Sequence, residues 1–242
     1  MQKGFRLEKT QSIEDTLVLD IIEKLTEGIG GHFSMKAQRL LSKMKNEDFN
    51  PIYAKLNIED ISDKFSDIAL IEEAIKEKKE LRCLYDTERH KHYFTTIKPL
   101  KIVNFEGFWY LLALRKEKLK KYYLKNLSAP QKLEKRFEVK EELDVLLNNA
   151  ISIWFQEDVK PFDVTLLANK TSAKFFKRRP FPTQTIHHMY EDGSMEFTVS
   201  ITHEMEILPI LKYWIPHLKV IEPLTLKEKL FQELKLYMQE IE

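Results

Sequence analysis

Residues 81–127 break into short runs of alternating apolar and polar side chains, each closed by a polar turn. LRCLYD (81–86) sets Leu81, Cys83 and Tyr85 against Arg82, Leu84 and Asp86, and ERHKH reverses the chain. YFTTIKPLKIV follows, with Pro99 at an edge or a bend. Asn104 to Gly107 is the next turn, FWYLLAL the next strand, RKEKLK another turn and YYLKNL the last strand. A period of two sends successive side chains to opposite faces of a sheet. Turns this short leave no room for the crossover that a parallel pairing requires. The segment therefore predicts a small antiparallel barrel.

The flanks have a different period. From Ser12, with Asp15 as acidic support, Ile13, Leu17, Ile21 and Leu25 recur at helical spacing until Gly28, Gly30 and Gly31. Phe33 to Met44 reads as a second helix and Ile68 to Lys79 as a third, with residues 46–66 a looser connection. Helical period returns from Glu141 to Phe155. Beyond Pro161 come a strand (FDVTLLA), a short helix (SAKFFKRR) and a strand from Gln184 to Met189. A hairpin at Asp192-Gly193 then leads into MEFTVSI. A helix from Glu204 to Trp214, the strand LKVIEP and a last helix follow. Thr225 and Glu228 stand in a capping-box arrangement at the start of that helix, and Leu226, Leu230, Leu234, Tyr237 and Ile241 form its face. The order β-α-β-β-α-β predicts a ferredoxin-like module. The expected class is α+β, divided into a helical region (1–66), the barrel (67–137), a connecting helix (138–160) and a C-terminal domain (161–242).

Composition excludes several functions. The net charge is +1, so any electrostatic attraction to nucleic acid or an acidic surface must be local. One cysteine, Cys83, rules out an intrachain disulfide framework and fits a reducing compartment. No apolar run approaches the roughly 20 residues of a membrane helix, and the start has no signal-peptide character. The expectation is a soluble, cytoplasmic protein with no membrane contact. His90, His92, His187 and His188 lack further ligands at customary spacing, so no metal and no cofactor is expected. No phosphate-cradling loop, nucleophile elbow or zinc-protease motif is present, so the chain is expected not to be an enzyme.

One local signal stands out. Between Arg89 and Asn126 there are ten basic residues (Arg89, Lys91, Lys98, Lys101, Arg115, Lys116, Lys118, Lys120, Lys121 and Lys125) against two acids, Glu106 and Glu117. That imbalance suits a phosphate backbone, and the interleaved Tyr85, Tyr110, Tyr122 and Tyr123 could stack bases. The competing reading is that the lysines solubilise turns and the tyrosines pack the barrel. Alternation places Lys121, Tyr123 and Lys125 on one face, while Trp109 and Leu111 share the other kind of position, in the core.

Trp109-Tyr110-Leu111, preceded by Gly107 and Pro99, resembles the signature of WYL domains, SH3-like (Sm-type) barrels of bacterial transcriptional regulators. Tyr85 on the first strand, the turn from Asn104 to Gly107 and the last strand from Tyr122 to Leu127 complete the pattern. Phe181 to Ile186, Asp192-Gly193 and VIEPLTLKEKL are similar to the C-terminal extension named WCX. The opening GFRL resembles the GYRL that ends the winged helix in such regulators. The resemblance implies an N-terminal DNA-binding head that this sequence lacks, either because it was removed or because the gene starts here.

It further implies an anionic effector, single-stranded nucleic acid or a nucleotide, bound in the barrel by Tyr85, Thr95, Lys98, Tyr110, Arg115, Tyr123, Lys125 and Asn126. Thr95, Tyr123 and Asn126 stand where family members often carry phosphate-gripping arginines. A homodimer is expected, because the apolar stretch from Ile207 to Ile215 needs cover beyond its own sheet, the alternative cover being residues 1–66 of the same chain. Operator DNA would be reached only through the absent head. The alternatives are a stand-alone Sm-like RNA- or single-strand-binding protein, and an assembly module with a vestigial pocket.

Overall fold

The computed structural model describes residues 31–42, 57–87, 93–138 and 143–239, together with Leu19, Ile22, Glu23, Leu25 and Thr26. The expected turn at 88–92, with Arg89, His90, Lys91 and His92, lies outside the described residues, as does most of the expected first helix. The chain divides into two compact units, residues 1–138 and 139–242. The class is α+β, with helices and two antiparallel sheets.

In the first unit, helix α1 spans Gly31–Leu41 and helix α2 spans Phe65–Glu77. A 3-10 turn, Ser62–Lys64, leads into α2. The Asp60 carboxylate accepts from the Ser62 amide (2.9 Å) and hydroxyl (2.6 Å), a local fold that fixes the entry. Ile71 and Ala74 are buried on its inner face. Lys78 adopts the left-handed conformation (φ 53°) that commonly closes a helix, and the chain passes at once into β1.

Five strands follow: β1 (Lys79–Tyr85), β2 (Tyr93–Phe105), β3 (Phe108–Arg115), β4 (Lys118–Tyr123) and β5 (Leu127–Arg136). Every neighbouring pair is antiparallel, in the order β4-β3-β2-β1-β5. Pro99 stands where β2 passes from its pairing with β1, which ends at Ile97, to its pairing with β3, and the register shifts there. The strand therefore bends where a donor is missing.

The strands expected as a small antiparallel barrel form one sheet whose ladder does not close. No ladder joins β4 to β5, which are the two edges of an open sheet. The reason lies in the connection. Leu124–Asn126 forms a 3-10 turn in place of a continued strand, and Pro130 leaves β5 short of a donor. The core between sheet and α2 holds Leu81, Cys83, Ile97, Leu111, Ala113, Tyr122, Leu124 and Leu127, with Trp109 packed against it.

The second unit begins with α3 (Leu143–Asn149). The helical period expected as far as Phe155 stops there: the Ile151 amide donates to Glu206 (3.1 Å) and the Trp154 amide to the Ser152 hydroxyl (3.4 Å), local bonds that compete with a helix. Then come β6 (Phe162–Ala168), α4 (Lys170–Arg178), β7 (Thr185–Met189), β8 (Met195–Ile201), α5 (Leu208–Tyr213), β9 (Leu218–Glu222) and α6 (Leu224–Gln239). The sheet is antiparallel in the order β7-β8-β6-β9, the ferredoxin-like arrangement, with α6 added. Along β8, Met195, Phe197, Val199 and Ile201 are buried and their neighbours half-buried.

Two helix starts differ from expectation. Pro209, which cannot donate, divides the stretch from Glu204 into a 3-10 turn (Glu204–Glu206) and α5. The last helix begins at Leu224, so Thr225 lies inside it, and the capping box forms instead between His203 and Glu206. The sequence expectation also left the stretch from Ile207 too little cover. Ile207, Leu208 and Leu211 are buried within their own unit, with Ile210 and Trp214 packed against them.

One turn constrains the first unit tightly. Glu106 (φ 53°) and Gly107 (φ 90°) both lie in the left-handed region between β2 and β3. A Cβ on Gly107 would sit 2.0 Å from the Asn57 carbonyl oxygen. Gly107→Ala is expected to lower the unfolding free energy by about 1–3 kcal/mol, from strain and the forced displacement of Asn57. Urea denaturation followed by circular dichroism should show the midpoint falling.

Candidate functional site

The structure gathers part of the expected site at the far end of β3 and β4. Tyr110 and Tyr123 face each other across the β3–β4 ladder, ring centroids 5.7 Å apart, and Phe108 stands 6.1 Å from Tyr123. Lys125, in the 3-10 turn after β4, is half-exposed. Because β4 ends at Tyr123, Lys125 does not continue the alternating face of Lys121 and Tyr123, as the sequence reading supposed.

What brings Tyr123 and Lys125 together is an acid from elsewhere, Glu59. The Tyr123 hydroxyl donates to Glu59 Oε1, and Lys125 Nζ lies 3.5 Å from the same oxygen. The Glu59 side chain is 11% exposed, and its second oxygen, Oε2, is buried with no hydrogen-bond partner. Its amide donates to the Gly107 carbonyl (2.8 Å), so residues 57–59 pass directly over the β2–β3 turn. Desolvation and then the adjacent carboxylate push the Tyr123 phenol well above its usual range. Desolvation, helped by Glu106 and Glu59, raises the Tyr110 phenol too.

A second cluster lies nearby on the inner sheet. The Tyr85 ring meets Tyr122 edge-on at 5.0 Å and Tyr93 at 6.0 Å. The Tyr85 hydroxyl accepts from the Tyr123 amide (3.1 Å), which joins the two clusters. Tyr122 and Thr95 are 4% and 3% exposed. Their hydroxyls interact, lowering the Tyr122 phenol against the stronger upward push of burial, but make no well-formed hydrogen bond. The Arg115 guanidinium lies 5.8 Å from the Tyr93 ring.

The remaining expected residues are spread out. Lys98 is ion-paired with Glu117 of the β3–β4 turn. The Asn126 side chain donates to the Asp86 carbonyl (3.2 Å). Thr95 is inside the sheet and presents no surface. The structure thus brings Tyr110, Tyr123 and Lys125 around one carboxylate, groups Tyr85, Thr95 and Arg115 around the inner tyrosines, and leaves Lys98 and Asn126 in pairs of their own.

Glu59 was missed because it belongs to the stretch read as a loose connection. The pair Glu59-Asp60 just before the start of α2 was the available signal, and a charge count that stopped at Arg89 passed it by.

Chemically, a phenol hydroxyl and an ammonium converging on one oxygen form a two-donor oxyanion holder beside an aromatic wall. Among the described residues no group of three or more His, Cys, Asp or Glu could hold a metal. His187 bonds Thr198 (2.9 Å) and His188 packs on Tyr190. No described helix is long and apolar enough to cross a membrane.

The family model of the WYL domain matches residues 67–131, and that of the WCX domain matches residues 160–238. The chain is a WYL- and WCX-domain protein. Proteasome accessory factor B/C (PafBC) of Arthrobacter aurescens is similar at 15% identity and a TM-score of 0.33. That match covers 89% of this chain, which spans 34% of the PafBC chain. A CRISPR Cas-related protein is similar at 13% identity and a TM-score of 0.48, covering 98% of this chain and 76% of that one. No curated protein matches the sequence.

The thiol in the WYL core is shielded and its thiolate disfavoured. Cys83 is fully buried, and desolvation pushes its pKa to about 12. Native protein at pH 8 is expected to resist 5,5′-dithiobis(2-nitrobenzoic acid), with one thiol released on addition of denaturant. Rapid labelling before unfolding would place Cys83 at an accessible surface.

Proposed function

We propose that the WYL domain senses an anionic ligand, single-stranded nucleic acid or a nucleotide, as the sensing portion of a transcriptional regulator. The observation that carries the reading is the convergence of the Tyr123 hydroxyl and Lys125 Nζ on a single carboxylate oxygen. Donors already aimed at an oxyanion need little reorganisation to hold a phosphate. Phe108, Tyr110 and Tyr123 supply ring faces beside them, the combination by which single strands are bound without base-specific contacts. On this reading the domain senses and does not catalyse. Lys98 and Arg115 extend the positive field, while Tyr85 and Asn126 brace the strand ends that position Tyr123 and Lys125.

The second unit, in the same proposal, holds two copies together. Tyr213 is 80% exposed, and Phe175 and Ile215 are also exposed. They lie on or beside the stretch whose apolar content first suggested a homodimer. Ligand binding would act on the paired heads only if it favours one arrangement of the dimer over another. One observation favours the rival reading of a vestigial pocket: a carboxylate of the chain itself already occupies the donors.

Titration with a short single-stranded DNA and its RNA counterpart, at two salt concentrations, separates the readings. Lys125→Ala is expected to weaken binding about fivefold or more and to flatten the salt dependence by roughly one phosphate contact. Unchanged affinity and slope would move the site elsewhere. Light scattering at micromolar concentration is expected to give roughly twice the chain mass of 28.9 kDa.

A further inference from the structure

Glu59 is the strangest group in the first unit. Burying a carboxylate is costly unless both oxygens are satisfied. Here one oxygen takes both available donors while the other has none. The segment that carries it is attached at its two ends. The Asn57 carbonyl and the Glu59 amide sit on Gly107, and Asp60 turns the chain toward Ile61, which is buried against the sheet and α2. Between those anchors the Glu59 side chain reaches from the β2–β3 turn to the end of β4. A glutamine would keep the bond from Tyr123 without burying a charge, and would lose only the ion pair to the half-exposed Lys125, a contact of small net stability.

We propose that residues 57–60 are a latch, in which Glu59 stands in for the acidic group of the ligand and must be displaced before an anion can bind Tyr123 and Lys125. The proposal rests on the reading of this site as anion-binding and adds how that site is regulated. An incoming phosphate takes over both donors, and the freed carboxylate recovers its hydration, Oε2 included. The half-exposed Lys125 is the side from which the exchange starts. Because only the unlatched fraction can bind, the latch lowers the apparent affinity by that fraction. The same exchange loosens the chain where it enters the 3-10 turn and α2, so the ligand state is felt at the start of that helix. By linkage, whatever holds residues 57–60 down weakens the ligand, and the ligand weakens that hold equally.

The test measures binding of a mixed-sequence eight-nucleotide single-stranded DNA to wild type, Glu59→Gln, Glu72→Gln and Lys125→Ala. Glu72 is an exposed acid of α2, so its variant reports what one lost charge does by itself. Glu59→Gln is expected to bind roughly threefold to tenfold tighter than both wild type and Glu72→Gln, the range set by removing a half-screened competitor. Saturating the wild type with the oligonucleotide is expected to speed amide hydrogen exchange at Glu59, whose bond to Gly107 is released. Binding by Glu59→Gln when wild type shows none would support the latch in its strongest form.

Equal affinities for Glu59→Gln and Glu72→Gln would overturn the latch. If Lys125→Ala still weakened binding in that case, the anion site itself would stand. Unchanged exchange at residues 57–60 on saturation would also overturn the latch. Failure of every variant to bind would remove both the latch and the sensing reading.

Discussion

Leu124–Asn126 joins strands at opposite edges of the sheet, and the shape of the first unit follows from how little these residues can span. Laid flat, β4 and β5 would stand four interstrand gaps apart, about 19 Å at the usual spacing. The four steps from Tyr123 to Leu127 reach at most about 14 Å fully extended, and less when coiled as a 3-10 turn. The sheet must curl until its edges approach at that end. The curl lets Tyr85, near one edge, accept from the amide of Tyr123 on the other. It also lifts Lys125 out of any ladder, beside the Tyr110–Tyr123 pair. A closed ladder would have consumed the same backbone groups and left no open end for the site.

The two units treat buried polarity differently. In the second, Glu206 is 2% exposed yet satisfied: Thr202 donates through its amide and hydroxyl, and His203 and Ile151 through their amides. In the first, Glu59 Oε2 and Trp109 Nε1 are buried without partners, and Thr95 Oγ1 and the Tyr122 hydroxyl meet without a well-formed hydrogen bond. Fully bonded polar groups rigidify a core, whereas unpaired ones mark places held against a local preference. Glu59 couples this uneven distribution to the site, because its unpaired oxygen belongs to the carboxylate that engages Tyr123 and Lys125.

Much of the local structure could be read from the amino acids. The alternation of Met195, Phe197, Val199 and Ile201 fixes which face of β8 is buried, and Asp192-Gly193 fixes the hairpin before it. Pro99 marks the bend in β2, and the ordered residues around Trp109-Tyr110-Leu111 match a WYL domain. These signals are local: a period, a missing donor or a turn preference acts within a few residues whatever the rest of the chain does. The boundaries that failed did so because distant partners intervened, as when Glu206 drew the Ile151 amide out of the expected helix.

The candidate site divides along the same line. Sequence alone determined that aromatic and basic residues crowd together between Tyr85 and Asn126, because strand period and turn chemistry place them there. Only the tertiary structure decided which of them meet. Thr95 went inside because β2 turned that side chain to the core, and Lys98 went to Glu117 because a two-residue turn brought the acid back beside it. Tyr123 and Lys125 went to Glu59, sixty-four and sixty-six positions earlier, because Gly107 has no side chain to keep residues 57–59 away. Contacts at that separation depend on shape and on the clearance at one backbone position, and neither has a period that a sequence can display.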